Sequence, residues 1–282
     1  MKREEFETRI KALGDKPGGK TAVSLLELKS GESYGHNEDW VLDNPASTIK
    51  LGIMCAALFK VQEGKATLED KIICKKEDKV PGSGILQHLS NDTVLPLKDM
   101  IMLMIIQSDN TATNILMDYL GFDYINEFYD KQGLKDTRLR RKLFDMEASK
   151  KGIFNNISAR DLSKFLFDLE KRTYLNEEHA KIGLDILLKQ QIKYKIPKYI
   201  TSYWNDEGEW FSYPIKTATK SGETSKVEHD CGIIYTPNST IILSVLTNGT
   251  YPPEGIEYIG RVAELSVRYF DSDCLTKTYK KE

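Results

Sequence analysis

Histidine, cysteine and long apolar runs are scarce in this 282-residue sequence, and each shortage removes a class of function. The four histidines, His36, His88, His179 and His229, show no ligand-like spacing, so neither a metal site nor any other cofactor is expected. The four cysteines, Cys55, Cys74, Cys231 and Cys274, form no C-x-x-C pair. A chain of this length needs no disulfide staples, and they read as free thiols, which suits a reducing compartment. No apolar run, 101–106 included, is long enough to span a bilayer. The N-terminal stretch MKREEFETRIKALGDKPGG is charged and lacks the apolar segment of a secretory leader. The sequence as written therefore reads as cytoplasmic, with secretion the alternative if a leader has been removed. An excess of one charge is missing too. Forty basic against 42 acidic residues give a net charge of -2, too little basic field to recruit nucleic acid or an anionic membrane. Neither a G-x-S-x-G elbow nor a P-loop occurs.

What is present is enough apolar sequence, 40%, to build a substantial core. Residues 3–13 read as a charged amphipathic helix. Strands follow at 21–28 and near 32–36, separated by the turn residues Lys29-Ser30-Gly31. At the other end, strands are expected at 213–219, 231–235 and 240–247, then a helix over 256–270. The middle is helical, with segments at 47–62, 96–105, 110–120, 123–132, 158–170 and 176–189, and 192–210 reads as a linker rich in aromatic and turn residues. The expected fold is α/β of the α+β kind: an antiparallel sheet flanked by terminal helices, with an inserted all-helical lobe. One domain would span 1–282, with lobes 1–44 plus 206–282 and 45–205. The seam between such lobes is a natural ligand cleft.

Three polar motifs fall where the chain crosses that seam. Ser47-Thr48-Ile49-Lys50 follows Pro45, a residue favoured at helix starts, so Ser47 would open a helix and Lys50 would lie one turn on, on the same face. A serine there sits beside unpaired backbone N–H groups suited to an oxyanion, and a lysine of lowered pKa can take its proton. Read alone, the serine is as well explained as a cap before an amphipathic helix. Ser108-Asp109-Asn110 interrupts two apolar helical stretches. Its hydroxyl could relay a proton and Asn110 could hold an amide, or Ser108 or Asp109 could simply cap the next helix. Lys220-Ser221-Gly222 follows a strand, where glycine permits close backbone approach and lysine offers positive charge. Alone it could be an ordinary strand end.

In this order the three motifs are the S-x-x-K, S-D-N and K-[ST]-G signature, and the chain resembles the class A β-lactamase and penicillin-binding-protein superfamily of serine hydrolases over nearly its whole length. The resemblance implies the β-lactamase/transpeptidase-like fold and an enzyme that opens β-lactam or related amide bonds through a Ser47 acyl-enzyme. It implies Lys50 as general base or proton relay and Ser108 as proton carrier to the leaving group. Asn110 would bind the substrate's amide, and Lys220 and Ser221 its carboxylate beside Gly222. The backbone N–H groups of Ser47 and Glu223 would form the oxyanion hole. The expected partner is a small-molecule substrate, with no nucleic acid or membrane, and the chain is expected to be a monomer.

Two departures stand out. Class A enzymes carry a glutamate in an E-x-x-L-N pattern on an omega-shaped loop, to activate the deacylating water. Aligned on Thr137-Arg138-Leu139 without gaps, that position is Leu143, and the asparagine position is Glu147. Glu147 or Asp145 could reach the same water if the loop runs differently, or could only hold the loop through ion pairs with Arg140 and Arg141. The stretch 223–230 also looks longer than usual, and the arginine often found on the next strand is replaced by Cys231, with His229-Asp230 beside it reading as structural. Three readings stay open: a β-lactamase that turns over; a peptidase or esterase of the D-alanyl type; and a penicillin-binding protein that acylates and deacylates slowly.

Overall fold

The computed structural model describes residues 1–204, 209–276 and 279–280. In chain order it runs α1 (Arg3–Gly14), β1 (Lys20–Glu27), β2 (Ser33–His36), a 3₁₀ turn at Ala46–Thr48, and α2 (Ile49–Gln62). The helical part continues with β3 (Lys71–Cys74), β4 (Thr93–Pro96), α3 (Leu97–Ile106), α4 (Asn110–Leu120), α5 (Phe122–Lys131), α6 (Met146–Lys150), α7 (Ala159–Lys171) and α8 (Glu177–Leu188). A 3₁₀ turn at Ile196–Tyr199 leads to β5 (Ser202–Trp204) and β6 (Trp210–Ser212). The chain ends with β7 (Lys216–Thr224), β8 (Val227–Tyr235), β9 (Thr240–Asn248), α9 (Pro252–Phe270) and β10 (Tyr279–Lys280). The main sheet has the order β2-β1-β9-β8-β7, so strands from the two chain ends pair in its centre. Every pairing is antiparallel.

Both faces of this sheet are covered, which explains why β9 and the second half of β8 are apolar without a clean alternation. On β9, Ile241, Leu243 and Val245 pack with Phe6 and Ile10 of α1 and Ile259 and Val262 of α9. The intervening Ile242 and Leu246 join the helical lobe's core around α2, α4 and α7. Between them Ser244 meets the helical side, where the Ser163 hydroxyl donates to its Oγ at 2.9 Å. The sheet is thus the shared wall of two cores.

The segment 223–230 forms the end of a continuous hairpin. β7 and β8 pair continuously from Lys216↔Tyr235 to Thr224↔Val227, joined by Ser225 and Lys226 alone. The strand expected to begin at Cys231 begins at Val227. Its first half carries buried charged residues, Glu228, His229 and Asp230, which hid it from an apolar pattern. The linker at 192–210 contains a 3₁₀ turn and β5. The expected lobe boundary at 205/206 lies outside the described residues. All four cysteines are buried and free. Among the described residues no helix is long and apolar enough to cross a membrane.

Helix α2 is buried almost all round and forms the centre of the helical lobe. Gly52 lets it approach α5 and α7: a Cβ there would stand 2.7 Å from the Tyr129 hydroxyl and 2.8 Å from Phe165 Cζ. Gly52→Ala is expected to destabilise the fold by about 1–3 kcal/mol through overpacking, despite alanine's better helix propensity. Denaturant unfolding checks this; an unchanged midpoint would show that the rings yield freely.

Candidate active site

Ser47 lies in the 3₁₀ turn ahead of α2 rather than inside the α-helix. Ala46 holds a positive φ of 46°, a left-handed conformation that a non-glycine residue adopts only when its surroundings enforce it. The enforcement is local. Thr48 donates from both its N–H and its hydroxyl to Pro45 O, and strand β7 lies against the turn. A Cβ on Gly222 would stand 2.7 Å from Ser47 N and 2.9 Å from Thr48 N, so this crossing tolerates only glycine.

That approach places Glu223 on the wall of the same cleft as Ser47. The cavity has a volume of about 270 Å³, and Asn110, Arg141, Leu143 and Asn155 also line it. Behind the strand, the fully buried Lys195 Nζ donates to Gly222 O at 2.9 Å. In a trans peptide the C=O and the following N–H point in opposite directions. The Glu223 N–H is therefore turned to the side away from Lys195. Lys195 also pairs with Glu223 at 2.8 Å and with Glu228 at 2.7 Å. These two glutamates are directly opposite one another on β7 and β8, an arrangement that repels without a cation between them.

Two more lysines meet under Ser108. This residue too has a positive φ, 52°, and Asp109 behind it caps α4 through Ala112 N while accepting from Leu86 N. Lys50 Nζ donates to Ser108 O at 2.7 Å, to Ser108 Oγ at 3.1 Å and to Asn110 Oδ1 at 2.8 Å. Lys220 Nζ reaches the same hydroxyl at 3.2 Å and Ser221 O at 2.6 Å. Burial, and then the charge of Lys220, push Lys50 well below the ordinary lysine value. Burial brings Lys220 down to about 8, opposed by the neighbouring Asp230. Asp230 is itself buried, which pushes it up to about 6. A hydroxyl shared by two lysines, one of them readily neutral, can pass a proton between them.

The structure thus brings together Ser47, Gly222 and Glu223 at the cleft, and Lys50, Ser108, Asn110 and Lys220 in one hydrogen-bonded group. Lys220 and Ser221 are buried and are not on the cavity wall. Glu147 joins neither group. It stands on α6, its side chain 75% exposed, paired with Lys150 at 2.9 Å. Asp145 is engaged as the cap of α6, accepting from Ala148 N. The backbone explains both placements. Asn114 Nδ2 donates to Leu143 O at 3.0 Å and Leu143 N donates to Asn114 Oδ1 at 2.9 Å. This clamp sets Leu143 at the cavity and sends the chain outward after it. Asn155 secures the other side, accepting from Arg140 N and Arg141 N and donating to Arg141 O. His229 is structural. Its Nε2 lies 3.0 Å from Asn44 O, Thr247 N donates to Nδ1, and burial holds the ring down to about 4.

Sequence reasoning missed Lys195, Asn114 and Asn155. Asn114 was discoverable, being one helical turn after Asn110 and so on the same face of α4. Lys195 belongs to a segment without periodicity, and nothing local marks it. Asn114→Ala leaves two backbone groups of Leu143 without their partner, and is expected to loosen residues 138–156 by about 1–3 kcal/mol. Amide exchange should rise there while α2 stays protected; unchanged exchange at Leu143 would show that the clamp is dispensable.

The geometry agrees with comparisons to known proteins. The sequence profile of the Beta-lactamase enzyme family matches residues 5–270. Beta-lactamase PSE-4 of Pseudomonas aeruginosa is 28% identical over 174 residues, 59% of this chain and 59% of that protein. A beta-lactamase of Rhodobacter capsulatus is 29% identical over 49% of this chain and 47% of its own length. The chain thus spans about three fifths or less of the curated relatives it matches. Solved structures cover more. A beta-lactamase from Sphaerobacter thermophilus DSM 20745 superposes with a TM-score of 0.84 at 28% identity, covering 96% of this chain and 98% of that one. A mutant of PBP-A, leucine replaced by glutamate, solved as an acyl-enzyme with penicillin G, superposes with a TM-score of 0.84 at 25% identity, covering 96% and 97%. The five-stranded sheet, its flanking helices and the helical lobe are the β-lactamase/transpeptidase-like fold, and the chain belongs to the beta-lactamase enzyme family.

Proposed function

We propose that this chain is a serine hydrolase that forms an acyl-enzyme on Ser47 with β-lactams and related amides or esters, and that hydrolysis of the acyl-enzyme is its slow step. The observation that carries the second half is the clamp of Asn114 on Leu143, which lines the cavity where a water-activating carboxylate would be needed. Leucine has no proton acceptor. The nearby carboxylates of Asp145 and Glu147 are occupied as a helix cap and as a surface ion pair.

In this reading Ser47 Oγ attacks the scissile carbonyl and its proton passes to Lys50. Ser108 carries a proton on to the leaving group, and the N–H groups of Ser47 and Glu223 hold the oxyanion. Asn110 binds the acyl amide. Lys220 contributes its charge, which keeps Lys50 neutral. The PBP-A acyl-enzyme supports this reading by likeness, since there too a leucine was the residue exchanged for glutamate.

Mixed with a chromogenic cephalosporin, the protein should give a burst of about one equivalent and a lasting adduct on Ser47, absent from Ser47→Ala. Leu143→Glu should shorten that adduct's life by about 10²–10⁴-fold, the usual contribution of a general base. Steady turnover without an adduct in the unaltered protein would instead make it a β-lactamase with another base.

The acylation rate should also depend on pH in two limbs. It rises as Lys50 loses its proton, at lower pH than an ordinary lysine requires because its pKa is depressed. It falls as pH rises through about 8, where Lys220 loses its charge. Lys220→Arg, which stays charged, should remove the alkaline limb. Stopped-flow acylation between about pH 5 and pH 10 measures both limbs; an alkaline limb that survives in Lys220→Arg would take Lys220 out of this role.

A further inference from the structure

The glycine that lets β7 close on the Ser47 turn also frees the peptide that follows it. A Cβ on Gly222 would meet Ser47 N and Thr48 N, so the close approach needs glycine. Glycine is also the residue whose backbone turns most freely, so the Gly222–Glu223 peptide gains no fixed orientation from its own stereochemistry. Among the described strands, β7 is the edge of the main sheet and pairs with β8 alone. One residue after Glu223 that pairing ends, at Thr224↔Val227. Lys195 supplies the missing restraint. Its Nζ donates to Gly222 O at 2.9 Å and to His229 O at 3.2 Å, the carbonyls of two residues directly opposite one another. It also pairs with Glu223 and Glu228, the next opposed pair. A fully buried cation thus ties two successive cross-strand pairs together at the end of the hairpin. Such charge-assisted bonds are stronger than neutral ones. With the Gly222 carbonyl drawn to Lys195, the Glu223 N–H of the same planar peptide faces the other way. Donation by a cation to the carbonyl also polarises the peptide and strengthens its N–H as a donor.

Resting on the acyl-enzyme reading above, we propose that Lys195 is the positioning residue of the oxyanion hole: it holds the Gly222–Glu223 peptide from behind, so that the Glu223 N–H meets the oxygen on which charge develops. Being fully buried, Lys195 acts through this one peptide and not on the substrate. Its loss leaves the peptide free to turn its N–H out of the hole. A donor there is worth most when the carbonyl oxygen becomes an anion, so the effect falls on the acylation step more than on ground-state binding.

A matched pair of esters tests this: N-phenylacetylglycine esterified to meta-hydroxybenzoate, and the thionoester in which C=S replaces the scissile C=O. In each, the bond from Ser47 Oγ to the acyl carbon forms, the bond to the phenolic oxygen breaks, and the phenol leaves with the serine's proton. Sulfur is a weaker hydrogen-bond acceptor than oxygen, so the hole serves the oxoester more than the thionoester. The burst of meta-hydroxybenzoate gives the second-order rate of acylation. Lys195→Met should cut the oxoester rate by about 10²–10³-fold, the usual cost of one oxyanion-hole donor. The thionoester rate should fall by about tenfold or less, so the preference for the oxoester shrinks by about tenfold or more. A loosened fold would lower both rates together and leave their ratio as it was. Where Lys195→Met alone does not fold, Glu228→Gln removes the buried acid left without its cation, while Glu223, 37% exposed, stays hydrated. Lys195→Met in that background is then read against Glu228→Gln alone. A ratio of oxoester to thionoester rates unchanged on loss of Lys195 overturns its role, while adducts on Ser47 keep the acyl-enzyme reading. No adduct on Ser47 from either ester, or from a β-lactam, overturns both.

Discussion

Two buried lysines that share one hydroxyl set the terms for the rest of this site. Lys50 and Lys220 are withdrawn from water and both reach Ser108 Oγ. Two full positive charges at such a distance in a low-dielectric interior repel strongly, and the repulsion is relieved when one of them gives up its proton. Asp230 decides which. It stands beside Lys220 and supports that cation, and the burden of neutrality falls on Lys50. The strained turn at Ser108 and the capping of α4 by Asp109 keep the shared hydroxyl in place.

The same logic of buried charge governs the edge strand. β7 ends with Glu223 directly across from Glu228, and Lys195 inserts between them while taking the carbonyl of Gly222. One side chain thereby neutralises a repulsive cross-strand pair and fixes the peptide that leads into Glu223. On the other side, the missing Cβ of Gly222 lets the strand close on the Ser47 turn. The position of Ser47 is thus set by a backbone contact, and Glu223 on the cleft wall is held by a partner from a distant, irregular segment.

The loop that faces this edge is held by two asparagines, and by the ion pairs of Arg138 with Asp130 and Lys142 with Asp118. Asn114 and Asn155 bond to the backbone of residues 140, 141 and 143, so the path of the chain there rests on backbone bonds, while the Leu143 side chain packs partly against the helical core. The leucine side chain offers the cavity no proton acceptor.

The sequence by itself determined the main helices, the antiparallel sheet shared by the two ends of the chain, and the three polar motifs that meet at the cleft, but not the short elements β3, β4, β5, β6 and α6. These were legible because apolar periodicity and short fixed spacings are local properties: Lys50 is one turn from Ser47 in any helix, and Asn110 is bound to follow Ser108. Only the tertiary structure decided which carboxylates reach the cavity. Glu147 and Leu143 are four residues apart in the same loop, and two hydrogen bonds from another helix turn one inward and leave the other in solvent. It alone revealed Lys195, because a buried cation is recognised by the acids that surround it, and those lie on strands far along the chain. It also decided that β8 starts at Val227, where Glu228, His229 and Asp230, partnered by Lys195, Asn44 and Ile196, are buried as fully as the apolar residues that announce a strand.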